Sequence, residues 1–126
     1  MAMTEHGSKD MQTHSVRKGD IVWLDFERKA GAPIKKTRPG LVVQNDLGNQ
    51  FAPHTIIAAI RGDVKKGLPV QVSVPKGTAG LTKDSVIDCG FLATVSKDKL
   101  GGLIGKLPLK YMGIVNEALR VSLGLR

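Results

Sequence analysis

Short apolar runs, each broken by glycine or proline, constrain the fold of this chain more than any other feature. Side chains of the β-branched and aromatic types recur in runs of roughly four to six residues, a length typical of β-strands. The runs are far shorter than the ~20 apolar residues that a membrane-spanning helix requires. Strands are predicted at residues 21–26, 39–44, 55–60, 70–74, 84–89, 91–95 and 104–107.

Turn-forming residues and glycine between these runs predict how the strands are connected. Residues 45–49 form a turn-rich link, and Gly90 suits a bulge that joins the two strands around it. Ser96 can cap a short helical turn at residues 96–100.

The end of the chain changes to a helical period. After Pro108, apolar residues recur three or four positions apart, and Gly124 then stops the pattern. This spacing predicts a C-terminal amphipathic helix. The predicted class is mainly β (α+β), with one domain at residues 16–126 that follows a disordered polar tail at residues 1–15.

Composition excludes several classes of protein. A chain of 126 residues is long enough to bury a core without the help of disulfides or a metal, and its 41% hydrophobic content is an ordinary globular value. Cys89 is the only cysteine, so no intrachain disulfide can form. A reducing, cytoplasmic location is the simplest expectation, and we expect no membrane association.

The charge is strongly positive and unevenly distributed. The formal net charge is +8, and residues 27–38 alone carry a net +4 from five cations and Glu27. This segment also holds Gly31 and Pro33, which indicates a loop. A basic surface favours polyanionic partners, with nucleic acid first among them.

Candidate catalytic residues are few. The carboxylates are dispersed and the usual metal, phosphate-loop and nucleophile motifs are missing, so we expect no metal and no other cofactor. His54 opens the third predicted strand, where it could act as an acid or base or make a structural hydrogen bond. Cys89 lies in an apolar context and is expected to be a buried, inert thiol.

Arginine is the residue to consider if the substrate is RNA. A metal-independent route uses the 2′-hydroxyl of the substrate as nucleophile and needs a cation to stabilise the charged transition state. Arg38 lies where the basic loop meets a strand, so the backbone would hold it in place. The alternative is that Arg38 is a solvated side chain beside Pro39.

The chain resembles the MazF/PemK family of bacterial toxins, which are sequence-specific endoribonucleases. The resemblance covers nearly all of the chain from residue 17 onward, in the order of the family. It is carried by RKGDIVWLDF at 17–26, TRPGLVVQNDLGNQFAPHTIIAAI at 37–60, LPVQVSVP at 68–75, GLTKDSVIDC at 80–89, TVSKDKLGGLIGKL at 94–107 and NEALRVSLGL at 116–125.

The resemblance implies an SH3-like β-barrel with short helices, assembled as a homodimer. It implies metal-independent cleavage of single-stranded mRNA at a short sequence, and neutralisation by a cognate antitoxin with an acidic or disordered tail. The arginine that precedes the family's Pro corresponds to Arg38, which is therefore a catalytic candidate. Candidate RNA contacts are Lys35, Lys36, Thr37, Pro39, Asn45, Asp46 and Lys65.

Three positions depart from the family pattern. The second catalytic residue of the family, a Thr or Ser, corresponds to Arg61, while Pro33 and Ala93 replace an acidic residue and an arginine. One interpretation is that Arg61 shares charge stabilisation with Arg38 and cleavage is retained. The other is a catalytically impaired relative that binds RNA or antitoxin. A peptide-binding SH3-like adaptor is a weaker third, because the chain is only 4% aromatic.

Overall fold

The computed structural model describes residues 16–25, 37–62 and 67–125, and these ranges contain six strands and two α-helices. In chain order they are β1 (Asp20–Asp25), β2 (Thr37–Val42), α1 (Asp46–Phe51), β3 (His54–Arg61), β4 (Gln71–Val74), β5 (Ser85–Ser96), β6 (Leu100–Lys106) and α2 (Leu109–Leu123). Short 3₁₀ turns lie at Thr78–Gly80 and Lys97–Lys99. The predicted tail at residues 1–15 lies outside the described residues.

The strands form one sheet in the order β4-β5-β3-β2-β1-β6, and every neighbouring pair is antiparallel. The prediction of a mainly β fold with a C-terminal helix is therefore confirmed. Two of the predicted strands, at 84–89 and 91–95, are one long strand, β5. The predicted bulge at Gly90 is confirmed, because the β3–β5 register shifts between Ala58, opposite Leu92, and Ala59, opposite Asp88.

Both faces of the sheet carry apolar clusters, because successive side chains of its central strands point to opposite faces. The larger cluster lies under α2, which packs there through Met112, Val115 and Ala118. The smaller cluster lies on the opposite face of the sheet. It comprises Val16, Val22, Leu24, Val42 and Ile57.

The 3₁₀ turn at Thr78–Gly80 packs against edge strand β6 at a glycine. The sheet is open in its hydrogen bonding, with β4 and β6 at its edges. However, the 3₁₀ turn between β4 and β5 packs on β6 so closely that a methyl group on Gly105 would clash with the carbonyl oxygen of Ala79. This contact links the turn that follows edge strand β4 to edge strand β6.

Residues 45–49, predicted as a turn-rich link, contain most of helix α1, and this correction has a local cause. The side chain of Asn45 caps the helix by accepting a hydrogen bond from the Gly48 N–H at 2.8 Å. Asn49 is buried and accepts a hydrogen bond from the Thr55 hydroxyl at 2.6 Å, while the buried Lys97 ammonium donates to its carbonyl oxygen. Six residues are too few for a helix to persist alone, so these tertiary contacts hold it.

Helix α2 begins after Pro108 and ends at Gly124, which adopts the left-handed conformation (φ +70°). Both boundaries agree with the prediction from the sequence. Within the described ranges, no helix has the length and apolar character needed to cross a membrane.

We predict that Gly105→Ala destabilises the protein by about 1–3 kcal/mol, because the new methyl group would meet a backbone carbonyl that cannot move away cheaply. The measurement is the urea midpoint of unfolding. Gly102→Ala is the matched control in the same strand, since no atom lies within 4 Å of a methyl group there. Equal midpoints for the two variants would show that the contact between the 3₁₀ turn and β6 is not tight.

Candidate nucleic-acid interface

Arg38 and Arg61 lie at the same end of two neighbouring strands. Arg38 is the second residue of β2 and Arg61 is the last residue of β3. The antiparallel register pairs Gly40 with Ala59, and continuing it by two residues brings Arg38 opposite Arg61. The sheet therefore brings together the two arginines that the sequence singled out.

The Arg61 guanidinium is held on one side by β5. Its Nε lies 3.9 Å from the Asp88 carboxylate, and its Cζ lies 5.1 Å from the centre of the Phe91 ring. Asp88 also accepts a hydrogen bond from the Gly90 N–H at 2.9 Å. The bulge in β5 thus brings an anion and an aromatic ring to the same arginine.

A groove of about 770 Å³ runs along β2, β3 and β5 on the face that carries the smaller apolar cluster. We call it the main groove. Its floor is apolar, and its cations are Arg38, Arg61 and Lys99. The other lining residues are Leu24, Pro39, Ile57, Ala59, Ile60, Gly62, Phe91, Ala93, Thr94, Val95 and Ser96.

A second cavity of about 370 Å³ adjoins the same arginine pair, and we call it the side pocket. It shares Arg38, Pro39, Ile60, Arg61 and Gly62 with the main groove. The remaining lining residues are Trp23, Thr37, Gly80, Leu81, Thr82, Lys83, Ser85 and Ile104. Because the two arginines stand at strand ends, they border both cavities.

Four of the candidate site residues lie together at this end of the sheet. Arg38, Pro39 and Arg61 line both cavities, and Thr37 lines the side pocket. Lys35, Lys36 and Lys65 lie outside the described residues, as does Pro33.

Asn45 and Asp46 lie beyond the opposite end of β2 and line neither cavity. Asn45 caps α1, and the Asp46 carboxylate accepts a hydrogen bond from the Lys18 N–H at 2.7 Å. That hydrogen bond is the main reason why the pKa of Asp46 is lowered from its ordinary value. Both side chains therefore have local structural roles.

The hydroxyl absent at position 61 is not supplied by Thr55. Thr55 is fully buried and bonded to Asn49, six residues before Arg61 on the same strand. Thr94 and Ser96, in contrast, are among the lining residues of the main groove, as is Ala93. At the end of β3, the structure therefore places the charged side chain of Arg61.

Neither His54 nor Cys89 lines the main groove or the side pocket. His54 is the first residue of β3 and Arg61 the last, about 23 Å apart at the usual strand rise. Cys89 is fully buried, as expected, and burial raises the pKa of its thiol to about 11.

Asp88, Phe91 and Lys83 belong to the site but were not predicted from the sequence. Asp88 and Phe91 flank Gly90, where a bulge was predicted, and bulges often redirect side chains near functional sites. That bulge was the available signal. For Lys83 the sequence offers no signal, because its proximity to Gly62 arises only from tertiary packing.

The described residues contain no group of three or more His, Cys, Asp or Glu side chains that could hold a metal ion. The main groove and the side pocket are instead bordered by Arg and Lys. Such an arrangement suits the phosphate groups of a nucleic acid.

Residues 17–123 match the family model described as PemK-like, MazF-like toxin of type II toxin-antitoxin system. The chain is 38% identical over 111 residues to endoribonuclease EndoA of Bacillus subtilis (strain 168), covering 87% of this chain and 96% of that protein. It is 37% identical over 111 residues to endoribonuclease MazF of Staphylococcus saprophyticus, covering 87% and 92%. The chain therefore belongs to the PemK/MazF toxin family.

The fold agrees with this assignment. A solved endoribonuclease in complex with its cognate antitoxin, from a mycobacterial species, superimposes with a TM-score of 0.74 at 22% identity. The alignment covers 88% of this chain and 97% of that one. The family resemblance drawn from the sequence motifs is confirmed.

We predict that Cys89 does not react with a thiol reagent such as DTNB at pH 8 in the folded protein. With a pKa of about 11, only about one thiol in a thousand is ionised at pH 8, and the thiolate is the reactive form. One equivalent should react after denaturation in guanidinium chloride. Rapid stoichiometric labelling of the folded protein would contradict the burial of this side chain.

Proposed function

We propose that this protein is an endoribonuclease toxin that cuts single-stranded mRNA at a short sequence without a metal ion. The observation that carries the proposal is the juxtaposition of Arg38 and Arg61 at one strand end, where they border two cavities. Family membership and the activity named for the two relatives support the reaction class.

The reaction uses the 2′-hydroxyl of the substrate. Its oxygen attacks the adjacent phosphorus and loses its proton, and the bond from phosphorus to the 5′-oxygen breaks. That oxygen takes up a proton and leaves as a 5′-hydroxyl, while the other fragment ends in a 2′,3′-cyclic phosphate. Negative charge accumulates on the phosphate oxygens in the transition state, so preorganised cations lower the barrier.

Arg38 and Arg61 supply that positive charge as the catalytic residues. A guanidinium presents paired N–H donors that match two phosphate oxygens, and it keeps its charge at all working pH values. Asp88 and Phe91 act through Arg61 as positioning residues, because they contact one side of its guanidinium.

RNA contacts extend outward from the arginine pair. Thr37 and Pro39 adjoin it directly, and Lys35, Lys36 and Lys65 contribute further positive charge to the neighbouring segments. Contacts of this kind position the RNA without reading its base sequence. Asn45 and Asp46 remain candidates only for the distal part of a longer RNA, since they lie at the other end of β2.

We predict discrete cuts when a long, defined single-stranded RNA is incubated with the purified protein in EDTA, with 5′-hydroxyl ends on mapping. Arg38→Ala should lower the cleavage rate by about 100-fold or more, as expected for the loss of a preorganised charge donor. Arg120→Ala is the matched control, because this exposed arginine on α2 pairs with Glu117 away from both cavities.

Substitutions of Arg61 separate the two interpretations of this departure from the family. Arg61→Ala should lower cleavage by about 10–100-fold, and Arg61→Lys should lower it less. Arg61→Thr tests whether the hydroxyl of the family can replace the charge. Intact RNA at high concentrations of folded wild-type protein, together with salt-dependent RNA binding, would overturn the proposal in favour of a non-cleaving binding protein.

A cognate antitoxin with an acidic or disordered tail is the expected protein partner. The solved structural neighbour is described as a complex with its cognate antitoxin, which supports this expectation. An acidic segment would complement Arg38, Arg61 and Lys99 in the main groove and so compete with RNA.

We predict that the protein is a homodimer in solution. Sedimentation equilibrium should give a mass of twice the 13.5 kDa of the chain at micromolar concentration. The exposed apolar side chains of the described residues, including Leu109, Ile114 and Leu103, provide surface that an interface could bury. A single species at the monomer mass would contradict the prediction.

A further inference from the structure

The side pocket has a composition that the cleavage reaction alone does not explain. Arg38 and Arg61 reach it from one side, but its opposite side is formed by β1, β6 and the segment before β5. The scissile phosphate needs only the arginine pair. The residues on the far side, notably Trp23 and Lys83, are therefore available for another part of the substrate.

Lys83 contributes a third cation to this pocket. A methyl group placed on Gly62 would lie 3.3–3.5 Å from the Cε, Cδ and Nζ atoms of Lys83, so the end of this side chain lies over the residue that follows Arg61. The glycine leaves room for it. Among the lining residues that the structure describes, none is a carboxylate.

Trp23 contributes an aromatic surface. It lies on β1 opposite Pro39 of β2, and it is 43% exposed although its strand neighbours Val22 and Leu24 are buried. An exposed indole beside cations is the combination that binds single-stranded nucleic acid, because every base has a face that can stack on an aromatic ring.

We propose that the side pocket is a nucleotide subsite beside the scissile phosphate, in which Trp23 stacks on a base and Lys83 contacts the phosphate of that nucleotide. This inference rests on the proposed ribonuclease function. A volume of about 370 Å³ suits one nucleotide, and the pocket adjoins the arginine pair without a gap. The subsite would fix which nucleotide next to the cut site enters, and therefore where the RNA is cut.

Tryptophan fluorescence tests the subsite directly, because Trp23 is the only tryptophan of the chain. The probes are the four nucleoside 5′-monophosphates, titrated one at a time, with inorganic phosphate for comparison. We expect saturable quenching by at least one nucleotide and little quenching by phosphate. Lys83→Ala should weaken that binding about tenfold, whereas Lys110→Ala, on α2 and beside Tyr111, should leave it unchanged.

Cleavage of the defined RNA provides the second readout. Lys83→Ala and Trp23→Ala should raise KM or shift the cut positions while the dependence on Arg38 persists, and Trp23→Phe, which keeps a ring, should restore the wild-type pattern. This rescue separates stacking from a general loss of structure.

The outcomes distinguish the two proposals. If the RNA is cut but no nucleotide quenches Trp23 and the cut pattern is the same in both variants, the subsite is overturned and the ribonuclease proposal stands. If nucleotides quench Trp23 in a Lys83-dependent way but the RNA stays intact, the subsite stands and the ribonuclease proposal fails. Equal quenching in the wild type and Lys83→Ala overturns the phosphate contact.

Discussion

The pairing of β3 with strands on both of its sides is the constraint on which the site depends. Its register with β2 brings Arg38 opposite Arg61, and its pairing with β5 brings Arg61 beside Val86. Because of the register shift in β5, both Asp88 and Phe91 contact the Arg61 guanidinium, although they lie three positions apart on β5. A slip of one residue in either pairing would turn the Arg61 side chain to the opposite face and separate it from these partners.

Two guanidiniums at one strand end repel each other, and the surroundings reduce the cost of bringing them together. The Asp88 carboxylate offsets part of the charge on Arg61. A bound phosphate would offset more of it, so the repulsion in the empty site favours binding of a polyanion.

Local patterns predicted the strands and α2 because periodicity, proline and glycine decide those elements within a few residues. They failed at α1, where the Asn-Asp and Gly-Asn pairs are equally typical of turns. The helix depends on contacts of Asn49 with Thr55 on the next strand and with Lys97, which lies 48 residues further along the chain. Arg38 was predicted as a site residue from its place in the sequence. Its proximity to Arg61 and the contribution of Phe91 depend on strand register, which no local pattern specifies.

Arg61 contacts Asp88 and Phe91, yet these contacts do not use the N–H donors of its guanidinium. An Nε–carboxylate distance of 3.9 Å is an ion pair but not a hydrogen bond, so Asp88 orients the charge without occupying a guanidinium donor. The centre of the Phe91 ring lies 5.1 Å from Cζ of Arg61, within the range of a cation–π contact, which uses none of the N–H donors. Phosphate oxygens bind at the N–H donors of a guanidinium. The bulge in β5 therefore brings two partners to Arg61, while Asp88 leaves the guanidinium donors unoccupied, and this arrangement supports the role proposed for Arg61 in binding phosphate.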